Sequence, residues 1–205
     1  MNYFVKTPKL LHSLYRDAVW FIPNAENKIF LTFDDGPVEG ITSSCLDILA
    51  THDVKATFFC VGENIINNKS IFERIKKEGH TVGHHSYNHL KGWKTQNEVY
   101  FENVKQGANL VNTPLFRPPY GKIKRSQINH LKSAYKIIMW DVLSGDFDPK
   151  VSTDQCVKNV LKHTESGSII VMHDNEKCGK KMLLALPEII TNLKSSGFQF
   201  STLPI

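Results

Sequence analysis

From about residue 29 to about residue 202, short apolar runs alternate with stretches of helical period. Ile29–Phe33 alternates at period two and begins a strand. Ala56–Val61 is an apolar run of the kind expected for a strand buried on both faces. His80–Gly83, Leu115–Arg117, Lys136–Asp141, Ser168–His173 and Phe198–Thr202 complete seven predicted strands. Between them, helical patterns cover Thr42–Ala50, Ser70–Glu78, Ser126–Ser133, Thr153–Thr164 and Met182–Ser195. A further helix should open at a capping box, Thr95-Gln96-Asn97-Glu98, and reach about Val111. Gly79 suits the end of its helix. Such alternation predicts an α/β fold with a parallel sheet covered on its faces.

The polar residues with chemical potential sit at the C-terminal ends of these strands: Asp34-Asp35, His85, Arg117-Pro118-Pro119-Tyr120, Asp146 and His173. In a (β/α) barrel such ends converge on one face. A doubly wound open sheet gathers them at a single crevice. Five contributing strands favour the barrel, and about seven strands make it a distorted, incomplete one. The expectation is a single domain over 1–205, with a helical segment over 1–24 packed on it. In that segment Lys6, Lys9 and Arg16 lie among Leu10, Leu11, Leu14, Tyr15, Val19, Trp20 and Phe21. A basic amphipathic helix over residues 6–21 in weak contact with a membrane surface is the alternative reading.

Composition adds exclusions. The chain has 205 residues, 41% hydrophobic and 22% charged, with a net charge of +5. No basic block is dense enough to suggest nucleic acid. Cys45, Cys60, Cys156 and Cys178 form no Cys-x-x-Cys pair, so reduced thiols are expected. No signal-peptide pattern or membrane-spanning run is visible, which points to the cytoplasm, with peripheral inner-membrane association as the alternative. Oligomeric state is left open.

One acid and two imidazoles make a three-ligand set for a divalent metal with a coordination position left open. The motif Thr32-Phe33-Asp34-Asp35-Gly36-Pro37 offers two carboxylates that leave a strand in different directions, one for the metal and one free to act as a base. His85 and His89 are four apart; on a helical turn both rings share a face, about 6 Å apart along the axis. Arg117 is a candidate fixed cation that keeps a buried carboxylate ionised. The Tyr120 amide is a candidate oxyanion donor, held by Pro118-Pro119. His173, after the buried run Ile169-Ile170-Val171-Met172, is a candidate general acid, with Asp146 and Asp174 as candidates to tune it.

With these residues in view, the sequence resembles the polysaccharide deacetylases that share the NodB-like domain, carbohydrate esterase family 4. Five motifs occur in the family's order over about Ile29 to Thr202: Thr32–Pro37, His85–His89, Arg117–Tyr120, Gly145-Asp146-Phe147 and Val171-Met172-His173. The resemblance implies that Asp35, His85 and His89 bind the metal and that Asp34 is the catalytic base, oriented by Arg117. His173 is then the acid, and Asp146 supports Arg117 or His173. Pro119, Tyr120, Val171 and Phe147 shape the substrate side. Zinc is the implied metal, with cobalt or nickel also acceptable to such a set. The implied reaction removes the N-acetyl group of an amino sugar and releases acetate. His84, Leu143, Phe147 and Val171 depart from the family's usual residues, which bears on the identity of the sugar rather than on the chemistry. Hydrolysis of another non-peptide amide, such as a cyclic imide or ureide, and carbohydrate binding through a vestigial site are the alternatives.

Overall fold

A computed structural model describes residues 3–204. The strands are β1 (Ala18–Val19), β2 (Lys28–Asp34), β3 (Thr57–Cys60), β4 (Thr81–His84), β5 (Leu115–Phe116), β6 (Lys136–Ile138), β7 (Val142–Leu143), β8 (Ile169–His173) and β9 (Gln199–Phe200). The helices are α1 (Lys9–Leu14), α2 (Ile41–Thr51), α3 (Gly62–Asn67), α4 (Lys69–Lys77), α5 (Asn97–Val111), α6 (Arg125–Leu131), α7 (Thr153–His163) and α8 (Gly179–Ser195). All strand pairings are parallel, in the order β1-β6-β5-β4-β3-β2-β8-β7, with β9 branching from the start of β2. The sheet curls into an open, incomplete (β/α) barrel of eight parallel strands.

Alternation within the strands builds two apolar layers. Ile29, Leu31, Phe33, Phe58, Cys60, Ile170 and Met172 face outward and form one cluster with apolar residues of α2, α4, α7 and α8. Phe30, Phe59, Leu115, Ile138 and Ile169 turn the other way and, with Ala25 and Leu203, fill the floor of the barrel. Each Ile, Leu, Phe or Met among them contributes about 1.5–3 kcal/mol by leaving water. Above that floor the same inward positions become polar: Thr32, Asp34 and Arg117.

Two strands appear that the hydrophobic pattern did not show. The predicted strand Lys136–Asp141 stops at Ile138: β6 pairs with β5, whereas the unpredicted β7, just beyond Asp141, pairs with β8 at the other end of the order. The sheet thus returns to its starting point without joining, leaving a seam. The N-terminal residues stitch that seam. Leu143 N–H donates to Val5 O and Thr7 N–H to Asp141 O, both at 2.8 Å. Met139 N–H donates to Val19 O at 2.7 Å and Ile22 N–H to Gly167 O at 2.9 Å. Lys6 Nζ meets the buried Asp141 carboxylate at 2.6 Å.

This corrects the expectation of a helical segment over 1–24, of which residues 1 and 2 lie outside those described. Helix occurs only over Lys9–Leu14, because unpaired backbone at the seam draws its flanks into extended pairing. The continuous amphipathic helix over 6–21 does not form: Lys6 is tied to Asp141 and Glu165, and Trp20 is buried. The capping box at Thr95 is also absent. Its hydroxyl donates to Lys91 O, and Gln96 is the residue before α5. The short helix α3 went unpredicted. All four cysteines are free and buried. No described helix is long and apolar enough to cross a membrane.

Candidate active site

Asp34 ends β2, directly paired with His173 at the end of β8. Asp35 leaves the strand with φ +86°. That turn sends its carboxylate away from Asp34, toward the histidines that follow β4. Asn64 Nδ2 holds the Asp35 carbonyl at 2.7 Å, and Asn175 Nδ2 donates to Asp35 Oδ2 at 2.6 Å. His85 and His89 lie on an irregular turn rather than the helical turn expected, with Ser86 at φ +63° and His89 at φ +61°. Their ring centres are 5.0 Å apart. Asn103 ties the turn down: its Oδ1 accepts from Tyr87 N–H at 3.1 Å and its Nδ2 donates to Asn88 Oδ1 at 2.8 Å. Among the described residues, four of the nine non-glycine residues with positive φ are Asp35, Ser86, His89 and Tyr120. Backbone strain of this kind concentrates where a site's geometry overrides local preference.

Asp35, His85 and His89 each offer a ligand atom, and these atoms lie within 4.8 Å of one another. His89 Nε2 is 3.0 Å and His85 Nε2 3.5 Å from Asp35 Oδ1. The three fit a divalent cation by their own chemistry. Asp35 Oδ1 is buried and accepts no hydrogen bond of proper geometry. His85 Nδ1 lies 2.7 Å from Arg117 O; a carbonyl only accepts, so Nδ1 carries the proton and Nε2 presents its lone pair. Burial drives the His85 pKa down to about 4, which keeps the ring neutral as a metal ligand must be. Burial alone would raise the Asp35 pKa, but the His89, His173 and His85 rings outweigh it and hold the carboxyl well below its usual range.

Arg117 is wholly buried above the barrel floor, its guanidinium 4.0 Å from the Phe59 ring centre. It donates to Asp34 Oδ1 at 2.6 Å, Thr32 Oγ1 at 2.7 Å and Met139 O at 3.0 Å. Asp34 is therefore fixed and charge-compensated while its neighbour faces the histidines. Asp146, for which support of either Arg117 or His173 was expected, bonds His173: Oδ1 to ring Nδ1 at 2.8 Å and Oδ2 to the backbone N–H at 2.6 Å. Burial works against a charged ring at His173. The Asp146 charge and hydrogen bond, with Asp35 and Asp34, overcome it and raise the pKa to about 10. At neutral pH this imidazole holds its proton.

The remaining expected residues surround this centre. Tyr120 sits at φ +60° in a tight turn with Pro119 and Gly121, and its ring centre is 4.6 Å from that of His89. Phe147 meets His173 edge-on at 5.4 Å and Tyr3 at 4.9 Å. Val171 is buried in β8 beside Thr32, one inward position below His173. Asp174 does not tune His173 through a hydrogen bond: its carboxylate takes Gly36 N–H at 3.0 Å and the Thr42 hydroxyl at 2.7 Å. Burial pushes its pKa up to about 7. Gly36 is required here, since a Cβ would lie 2.0 Å from Asp174 Oδ2. Sequence reasoning missed Asn64, Asn103 and Asn175. Only Asn175 carried a signal, two residues beyond His173.

Residues 22–135 match the family model described as polysaccharide deacetylase. A curated relative, a peptidoglycan-N-acetylglucosamine deacetylase of Bacillus cereus, is 33% identical over 195 residues, covering 90% of each chain. Among solved structures, the Bc1960 peptidoglycan N-acetylglucosamine deacetylase in complex with 4-naphthalen-1-yl-N-oxidanyl-benzamide superposes with a TM-score of 0.89 at 33% identity, covering 97% of this chain and 95% of that one. A mutant of BA3943, a family pseudoenzyme with restored enzymatic activity, superposes with a TM-score of 0.79 at 26% identity, covering 91% of this chain and 69% of that one. The chain belongs to the polysaccharide deacetylase family.

Proposed function

We propose that the protein is a metal-dependent carbohydrate N-deacetylase that hydrolyses the acetamide of an N-acetylglucosamine residue in a glycan and releases acetate. The observation that carries this reading is the pairing of a fixed carboxylate, Asp34, with a proton-loaded imidazole, His173, at adjacent strand ends beside the Asp35–His85–His89 set. The names of the relatives support the sugar, and the N-hydroxy amide bound to one of them carries a metal-chelating group. A family that includes a pseudoenzyme makes the acid–base residues decisive, and both are present here.

Asp35, His85 and His89 would hold the cation, zinc being the metal that most often takes such ligands, with cobalt and nickel as substitutes. When bound, the ion supplies Lewis acidity toward the acetamide carbonyl and the attacking water. Asp34, anchored by Arg117, takes the proton from that water. The Tyr120 amide donates toward the carbonyl oxygen as negative charge develops on it. His173 delivers its proton to the departing amine nitrogen, and Asp146 keeps that proton in place beforehand.

The test is acetate release from N-acetylglucosamine oligomers. Wild type should release acetate, lose activity to a chelator and regain it with zinc. Asp34→Asn should retain metal yet turn over at least about 10²-fold more slowly. Wild-type-like turnover in that variant removes Asp34 as the base. Absence of acetate from every N-acetylated oligomer removes the deacetylase reading.

A further inference from the structure

The N-terminal arm reaches the loop that carries the partner of His173. With Lys6 opposite Val142, the antiparallel register sets Tyr3, three residues back along the arm, beside Gly145, three residues on. The contacts agree. A Cβ on Gly145 would lie 3.0 Å from the Tyr3 hydroxyl, so a glycine, here at φ +82°, is what lets the phenol in. Burial and the neighbouring Asp148 carboxylate hold the Tyr3 pKa above its ordinary value, as expected for a phenol turned into the structure. Phe4, the next residue, is turned out and is 62% exposed. The loop is anchored at its two ends, where Asn159 Nδ2 donates to Ser144 O at 2.9 Å and Lys181 Nζ to Asp148 O at 2.5 Å. Between those anchors stand Asp146, whose carboxylate oxygens both go to His173, and Phe147. The Phe147 ring touches two others edge-on, Tyr3 at 4.9 Å and His173 at 5.4 Å.

We propose that Tyr3 is a positioning residue for the general acid: by backing Gly145 and Phe147 it holds the loop so that Asp146 stays on His173. The inference rests on the deacetylase reading for the reaction, and adds to it that a segment far from every strand-end motif completes the apparatus of proton delivery. Tyr3 itself touches no reacting atom. Its effect passes through the Asp146–His173 hydrogen bonds, which weaken steeply with distance and angle. A displacement of about 1 Å at such a contact can cost up to about 10²-fold in rate. Pairing of the arm with β7 alone would hold the start of the loop; the Tyr3 ring carries that hold on to Phe147, one residue beyond Asp146.

The test measures acetate release from the N-acetylglucosamine tetramer at pH 8 with the zinc-loaded protein. Tyr3→Ala should lower kcat by about tenfold and change KM by less than about twofold. Tyr3→Phe keeps the ring on Phe147 and should recover most of that loss. In the Asp146→Asn background Tyr3→Ala should cost less than about twofold, since the carboxylate it places is already gone. Hydrogen exchange at the His173 amide, which donates to Asp146 Oδ2, gives a readout independent of turnover. It should quicken by about tenfold in Tyr3→Ala, while the Asp174 amide, bonded to Asp34 O, and the Leu143 amide, bonded to Val5 O, keep their rates. An unaltered kcat, an equal loss in the Asp146→Asn background, no recovery in Tyr3→Phe or an unaltered His173 amide overturns the role. Faster exchange at Leu143 as well overturns it too, since the whole arm would then have come away. If wild type releases no acetate while the His173 amide still answers to Tyr3, the deacetylase reading fails and the placing of Asp146 by Tyr3 stands. Acetate release without that answer refutes the role of Tyr3 alone.

Discussion

Replacing Asp146 by Asn changes one charge and almost no volume at the residue that keeps His173 protonated. In the native protein the carboxylate accepts both the ring Nδ1–H at 2.8 Å and the His173 backbone N–H at 2.6 Å. An amide can accept from only one of them. With its oxygen on the backbone N–H, its NH₂ faces Nδ1 and favours the neutral ring, and burial pushes in the same direction. The ring that titrates at about 10 should then titrate no higher than its ordinary 6.5. At pH 8 a group of pKa 6.5 is about 3% protonated, so kcat should fall at least about 30-fold, and the loss should shrink as pH is lowered to 6 and below. The same shift enters stability. A raised histidine pKa stabilises the metal-free fold fully below 6.5, and the contribution is lost as pH rises through about 10. The variant's unfolding free energy should lack that slope. The assay is kcat for acetate release from pH 5.5 to 9.5. An alkaline limb left in place, with wild type and variant parallel across the range, would refute the claim that Asp146 sets the proton on His173.

Arg117→Met should leave Asp34 buried and uncompensated, which costs about 3–5 kcal/mol; thermal unfolding should show it as a large loss of Tm, and unchanged Tm would contradict the burial argument. Asn175→Ala removes the hydrogen bond that orients Asp35 Oδ2, so zinc affinity should drop by about 10–100-fold in a competition titration while the fold stays intact; equal affinity would mean that the turn alone orients Asp35.

Much of the centre was legible because its residues come from short, self-contained turns at strand ends. Asp34-Asp35-Gly36-Pro37 and His85–His89 each place their groups through local backbone geometry, and a pattern of strands and helices was enough to put them on one face. Asp146 was legible as a site residue but not as a partner, because choosing between Arg117 and His173 requires knowing that β7 lies against β8. That pairing depends on the chain leaving β6 at Ile138 and starting a new strand at Val142, which no periodicity announces. The N-terminal segment failed for a related reason: its helical spacing of leucines was outweighed by unpaired backbone at the barrel seam, visible only after the sheet has curled. Asn64 and Asn103 act through side-chain amide hydrogen bonds made across the fold, and such contacts leave no trace in spacing or hydropathy.

The most direct measurement is an anomalous-scattering map at the zinc edge from crystals grown with zinc. Expected is one strong peak bonded to an Asp35 carboxylate oxygen, His85 Nε2 and His89 Nε2 at about 2.0–2.2 Å, with Asp34 outside the coordination sphere and still on Arg117. A peak held by Asp34, or one that excludes either histidine, would contradict the division of labour between the two acids on which the proposed chemistry stands.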